Sequence, residues 1–354
     1  MTREPAGLPF RRASRFIMLA LACAASMGPA RAAREEAPLF DAARGTLYTQ
    51  DEIWRGFDAP ARTPGWDQRV YDQYVRAGKY RPEAGMSRAR ALHDDGMTQA
   101  LLGWIGAWRA RPGHRGVVSI MGNADEHLRC SGDYAQAVRL GRLLARAGYL
   151  VVTGGGPGLM EAANLGAWLA DRGEADVERA LALLRQTADP KTCGYADHFA
   201  YDAAAQAVRA AFPDGRANIG VPTWFYGHEP PNVFASGVAK YFSNAIREDI
   251  LLAVGTEGVV YLEGSAGMRQ EIFQDAAQNH FATYCRQRPM IFLGRRTFGD
   301  SGLFALVRRY AAQSPAGDYS AGLTLTDDEG DVVPFLQAHP PRRLTAPDGC
   351  GEAF

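Results

Sequence analysis

Histidine and cysteine are scarce in this chain, and neither is spaced for metal binding. Its 354 residues include seven histidines and five cysteines, without a C-x-x-C pair. A zinc site or a dithiol redox motif is therefore excluded as its organising feature. An excess of one charge is lacking as well. The 39 basic and 39 acidic residues cancel to a formal +0, and no basic block or basic–aromatic stripe marks a nucleic-acid partner. Internal repeats and low-complexity tracts are absent. So are the lysine of a Walker loop and the G-x-G-x-x-G dinucleotide fingerprint; no cofactor or metal is expected.

Long apolar runs are missing too. The stretch 16–27 is too short to span a bilayer, so no stable membrane anchor is expected. It does sit between Arg11, Arg12 and Arg15 and the A-x-A pattern Ala30-Arg31-Ala32, which is the layout of a secretory signal peptide. Residues 1–33 are read as that peptide, and the protein as exported, in the periplasm. The alternative is an uncleaved cytoplasmic chain. Cleavage after Ala32 removes five basic residues and one acidic one, leaving a net charge of −4. Four cysteines remain, Cys130, Cys193, Cys285 and Cys350, and they allow three disulfide pairings.

Residues 34–115 show no strong strand and one helical pattern, MTQALLGWIGAWR (97–109), closed by Pro112-Gly113; they are read as an irregular and helical extension packed on the main domain. From Gly116 strands and helices alternate. Strands are expected at 116–122, 149–153, 217–221, 259–262, 290–293 and 323–326. Helices are expected at 131–148, 159–170, 236–254, 267–281, 301–312 and 329–338, with a helical insertion over 172–215. Nearly unbroken apolar strands imply a sheet covered on both faces. The expected fold is α/β, a doubly wound, mostly parallel Rossmann-like sheet over 116–340, followed by a flexible tail, 341–354.

Two glycine clusters sit at strand ends. The first lies in VVTGGGPGLMEAANLGA (151–167) and the second in EGSAGMRQE (263–271). Each joins a strand to a helix, whose N-terminal amides and partial positive charge favour a phosphate. Gly154, Gly155, Gly156 and Gly158, with Gly264, Ser265, Ala266, Gly267 and Met268, are the candidate binding residues. Glu271, one helical turn into the second helix, is the candidate carboxylate. Trp224 and Tyr226, in PTWFYGHEPPN (222–232), offer faces for a nucleobase, and Glu161 opens the first helix.

GGGPGLMEAAN followed by EGSAGMRQE resembles the two signatures of the LOG ("Lonely guy") family, the cytokinin riboside 5′-monophosphate phosphoribohydrolases, long labelled lysine decarboxylases. Arg247 in SNAIRED resembles the family's arginine, and Met121-Gly122-Asn123 its first ligand-contacting turn. The resemblance covers 116–295. It implies cleavage of the N-glycosidic bond of a nucleoside 5′-monophosphate to free base and ribose 5-phosphate. Gly122 and Asn123 would then join the glycine loops around the phosphate, with Arg247 and Glu271 catalytic. It also implies a homodimer. Glu263, Ser265 and Met268 depart from the family's second loop, where proline, glycine and threonine stand. These departures leave the alternative of a non-catalytic nucleotide or phosphate-ligand binding protein, a sensor or carrier.

Overall fold

The computed structural model describes residues 36–344; the expected signal peptide and residues 345–354 lie outside them. In chain order the elements are α1 (Gln50–Ile53), α2 (Trp66–Arg76), α3 (Ala84–Arg109), β1 (Val117–Met121), α4 (Gly132–Arg146), β2 (Leu150–Thr153), α5 (Leu159–Trp168), α6 (Glu174–Arg185) and α7 (His198–Ala211). There follow β3 (Ile219–Gly220), β4 (Gly237–Val238), α8 (Asn244–Ala253), β5 (Gly258–Tyr261), α9 (Ala266–Phe281), β6 (Arg286–Gln287), β7 (Met290–Leu293), α10 (Arg295–Phe298), α11 (Leu303–Ala312), β8 (Leu323–Thr326), α12 (Val332–Ala338) and β9 (Arg342–Arg343).

Seven strands form one sheet in the order β4-β3-β2-β1-β5-β7-β8, and every pairing in it is parallel. The chain winds outward from β1 to β4, then returns to place β5 on the other side of β1. The switch in direction therefore lies between β1 and β5, where ligands bind in such sheets. Alternation within the strands covers both faces. Val117, Met121, Val152, Val259, Tyr261 and Phe292 face a core completed by α3, α8, α9 and α11. Val118, Ile120, Val151, Val260, Leu262 and Ile291 face α4, α5, α6, α7 and α12. This is the expected doubly wound α/β sheet.

Three expectations change. The run 236–254 is not one helix: β4 and an extended stretch precede α8. Strand pairing satisfies the backbone there, because Tyr48 and Val238 exchange N–H···O bonds of 2.9 and 3.0 Å and residues 233–235, 238–239 and 241–242 are buried. The tail read as flexible from 341 begins with β9, which pairs antiparallel with β6. The helix expected at 97–109 starts at Ala84. The segment before β1 contributes Tyr48, Ile53, Trp66, Val70, Met97 and Leu101 to the same core as the sheet. It packs into the core of the sheet.

The insertion is the helix pair α6 and α7. A disulfide, Cys130–Cys193, ties it to the short 3-10 turn after β1, across 63 residues of chain. Cross-linking a loop of that length restricts the unfolded chain and stabilises the fold by about 2–4 kcal/mol. Urea unfolding of Cys130→Ser/Cys193→Ser should show that loss, and a reductant should have little further effect on the variant at this bridge.

Candidate active site

Three turns at the carboxyl ends of β2, β1 and β5 make the rim of the sheet, with the β1 turn in the middle. Asn123 joins them. Its N–H donates to the Glu263 carbonyl and its own carbonyl accepts from Leu159 N, both at 2.9 Å. The first glycine cluster is shaped by these neighbours. Gly158 has φ +69°, and a Cβ there would lie 2.4 Å from the Asn123 carbonyl oxygen. Gly155 has φ +73°, and a Cβ would lie 2.7 Å from Pro222 Cδ and 2.9 Å from Val221 N. A side chain at either position would be strained and would clash. The close approach that demands these two glycines is thus the protein's own backbone. Gly154 and Gly156 face the site: positions for their Cβ atoms lie 3.8 Å from Arg247 Nη1 and 3.4 Å from Glu229 Oε2 respectively, with Met160 covering both.

Residues 154–158 are buried, and three amides of this turn are engaged. Gly155 N–H donates to Thr153 Oγ1 at 3.0 Å, the Gly158 backbone bonds the Tyr201 hydroxyl, and Leu159 N–H is held by Asn123. Three asparagines lock this loop. Asn164 Oδ1 accepts from Thr153 Oγ1 at 2.6 Å and from Asn232 Nδ2 at 2.9 Å, while Asn164 Nδ2 donates to Asn218 Oδ1 at 2.8 Å. Asn232 N–H also holds the Gly155 carbonyl at 2.9 Å. Sequence reasoning missed all three, although Asn164 closes the quoted GGGPGLMEAAN. Asn164→Ala strands several buried polar partners, each costing about 1–3 kcal/mol if left unpaired. A fall in urea midpoint of that order, with faster proteolysis at the loop, is the expected result.

The second cluster is open. Ser265 is the N-cap of α9 and makes no side-chain cap bond, residues 263, 265 and 266 are exposed, and no atom lies within 4 Å of a Cβ position at Gly267. The first amides of α9 are therefore available to an anion. Met268, in the threonine position of the LOG motif, is buried in the core and is not presented to a ligand. Glu263 lines a separate cleft of about 300 Å³ with Asp133, Gln136 and Asp327, on the α4 side of the sheet. Its charge lies in that cleft and not beside the Arg247–Glu271 pair.

Arg247 and Glu271 meet under Gly154. Arg247 Nη1 lies 3.3 Å from Glu271 Oε1, and its Nε and Nη2 donate to Asn244 Oδ1 at 3.1 and 2.6 Å. Both side chains are buried. Burial pushes the Glu271 carboxyl up to about 7; Arg247 opposes the shift and Glu248 adds to it. Tyr226, next to this pair, has 51% of its surface exposed. Its hydroxyl accepts from Asn244 Nδ2 at 2.8 Å and donates to Glu248 Oε1 at 3.3 Å. Burial, then Glu248, pushes the Tyr226 hydroxyl up as well. Asn244 and Glu248 belong to the quoted SNAIRED run and were not singled out from sequence, since adjacent helix residues give no sign of which ones face a pocket.

Two expected contacts are placed elsewhere. Trp224 is fully buried, its ring 4.5 Å from that of Phe242 and its Nε1–H donating to Asp67 Oδ1 at 2.9 Å. It belongs to the aromatic core beneath the loop. Glu161 is sealed in a bidentate pair with Arg129, at 2.8 and 2.7 Å, and accepts from Tyr134 Oη at 2.6 Å; it braces α5 and does not reach a ligand. Among the described residues no group of His, Cys, Asp and Glu is arranged to hold a metal ion, and no helix is long and apolar enough to cross a membrane.

Residues 115–173 match the model of the SLOG cluster4 family. No curated protein matches the chain. Among solved structures, it is similar to the molybdenum cofactor binding protein from the phototrophic bacterium Rippkaea orientalis, at 13% identity and a TM-score of 0.40, over 64% of this chain and 97% of that one. It is also similar to the molybdenum cofactor carrier protein from Chlamydomonas reinhardtii, at 16% identity and a TM-score of 0.37, over 64% and 99%. A structural-genomics target, TM1055, gives 20% identity and a TM-score of 0.38 over 63% and 99%. From β1 through the first glycine loop and α5, this chain is therefore similar to SLOG cluster4 proteins, on a parallel, Rossmann-like α/β sheet.

Proposed function

We propose that the protein hydrolyses the N-glycosidic bond of a nucleoside 5′-monophosphate. The observation that carries this reading is the buried Arg247–Glu271 pair one turn from the open N-terminus of α9. The free amides of α9 hold the 5′-phosphate, and the exposed Tyr226 ring receives the base. Glu271 takes a proton from water. The water oxygen bonds to C1′ as the C1′–N bond breaks, and its electron pair leaves with the base, which is then protonated by solvent. Arg247 stabilises the ionised carboxylate and is itself aimed by Asn244. A carboxylate beside C1′ also favours the oxocarbenium-like transition state.

The test is a panel of purified nucleoside 5′-monophosphates, with free base and ribose 5-phosphate quantified. Equimolar release of both supports the reading. Binding of a monophosphate without release of base from any of them would replace it by the second reading, a non-catalytic nucleotide-binding protein. That second reading is favoured by the buried first loop, which leaves α9 as the open set of amides on the rim.

Export to an oxidising compartment is part of the proposal, supported by the Cys130–Cys193 bridge and by the signal-peptide layout of residues 1–33. The intact mass from the native host should begin near Ala33. A homodimer, implied by the LOG resemblance, should show as twice the chain mass in light scattering.

A further inference from the structure

At the opposite end of the sheet, where β1, β2 and β3 begin, the loops 111–115, 146–149 and 216–217 enclose a cleft of about 590 Å³. Arg111, Arg115, Arg146 and Arg216 all line it. Their charges are only partly matched. Arg216 is ion-paired with Asp171, and Arg146, which donates to the carbonyls of Ala170 and Arg172 at 2.7 and 3.1 Å, lies near enough to Asp171 and Glu174 to join Arg216 and Arg142 in holding those carboxyls down. Among the described residues neither Arg111 nor Arg115 forms an ion pair with a carboxylate. Cations near helix C-termini are ordinary, and α3 and α4 both end here. One partial charge of about half a unit per helix end, however, does not account for four arginines. The chain as a whole is neutral, so this end is locally basic while the rim carries Glu229, Glu248, Glu263 and Glu271.

The cleft also has an aromatic wall. The half-buried His114 ring stacks on Trp108 with centroids 3.9 Å apart and planes at 16°, held by a 2.7 Å bond between His114 Nδ1 and the Trp108 carbonyl. A volume of several hundred Å³ is that of a small-molecule site, and planar guanidinium forks match phosphate oxygens in pairs.

We propose that this cleft is a second ligand site, distinct from the rim, for an anion bearing adjacent phosphate groups. Arg111 and Arg115 grip the phosphates from the loop, Arg146 and Arg216 from the opposite wall, and a planar substituent of the ligand stacks on His114. The site does not depend on what happens at Glu271.

Calorimetric titration with inorganic pyrophosphate and with ADP at low salt tests this. Both should bind, ADP more tightly because it adds the stacking contact, and affinity should fall steeply as salt is raised. Arg111→Ala/Arg115→Ala, both exposed positions, should weaken binding about a hundredfold, on the order of tenfold per guanidinium removed, with the thermal unfolding profile retained. Ser265→Asp, which places a carboxylate at the N-cap of α9 and so repels an anion from the rim amides, should leave pyrophosphate binding unchanged. Absence of binding by both probes, or binding unaffected in the double arginine variant, overturns the proposal; loss of binding in Ser265→Asp with retention in the arginine variant moves the anion to the rim.

Discussion

Glu161→Gln should lower the free energy of unfolding by about 3–5 kcal/mol, the usual cost of removing one partner from a buried ion pair. Arg129 and Glu161 are both shielded from water, and α5, the turn after β1 and α7 all converge on them. Arg129 Nη1 donates to the Tyr201 carbonyl at 2.7 Å, and its guanidinium lies 3.3 Å from the Tyr201 ring centroid. A glutamine keeps the shape but leaves Arg129 as an uncompensated buried cation. The pair also underlies the Tyr201 bond to Gly158, so the first glycine loop should loosen together with the global loss. Chemical denaturation and amide exchange over 154–158 provide the measurements. Arg129→Met/Glu161→Leu should recover much of the loss, since an apolar pair of similar volume avoids the desolvation penalty. A cost below about 1 kcal/mol for Glu161→Gln would show that water reaches the pair, as it does in exposed bridges.

Glu271→Gln should reduce turnover of the preferred monophosphate by about 10²–10⁴-fold with little change in KM, the range for loss of a general base. In the proposed reaction phosphate binding rests on the α9 amides, which the substitution leaves in place. The carboxylate is the active form, so kcat/KM should rise with pH and level off above about 7, the value to which burial pushes Glu271. Its effect on stability runs the other way. A carboxyl whose folded pKa is raised binds its proton more tightly when folded, so that contribution is full below the ordinary glutamate value. It is lost as pH rises from there through about 7. Glu271→Gln should flatten this slope between pH 4.5 and 7. An unchanged pH–rate profile in an active Glu271→Gln variant would remove Glu271 from the chemistry.

Much of the framework is legible before folding. The runs at β1, β2, β5 and β7 are apolar at nearly every position, and a sheet covered on both faces accommodates that pattern. Short β4 was harder to read. At two residues it carries too little pattern, and the apolar residues around 238–242 fit helical spacing equally well. The deep role of the segment before β1 was also hidden. Its aromatics look scattered along the chain, yet Tyr48, Trp66 and Trp224 converge around Asp67, which accepts from the fully buried Lys240 at 2.8 Å. Contacts spanning 173 residues leave no local trace.

The amino-acid sequence alone determined where the chain turns at the rim, because glycines and helix starts at strand ends are local properties of the backbone. It also determined which two charged residues lie at helix positions near those turns. Tertiary structure decided what each glycine is for: Gly155 and Gly158 yield to neighbouring backbone, and Gly154 and Gly156 to the Met160 side chain. It likewise divided the acids, sealing Glu161 against Arg129, turning Glu263 toward another cleft and burying Glu271 beside Arg247. The reason is physical: a carboxylate's role follows from its solvation and its nearest cation, and both are set by elements far apart in the chain.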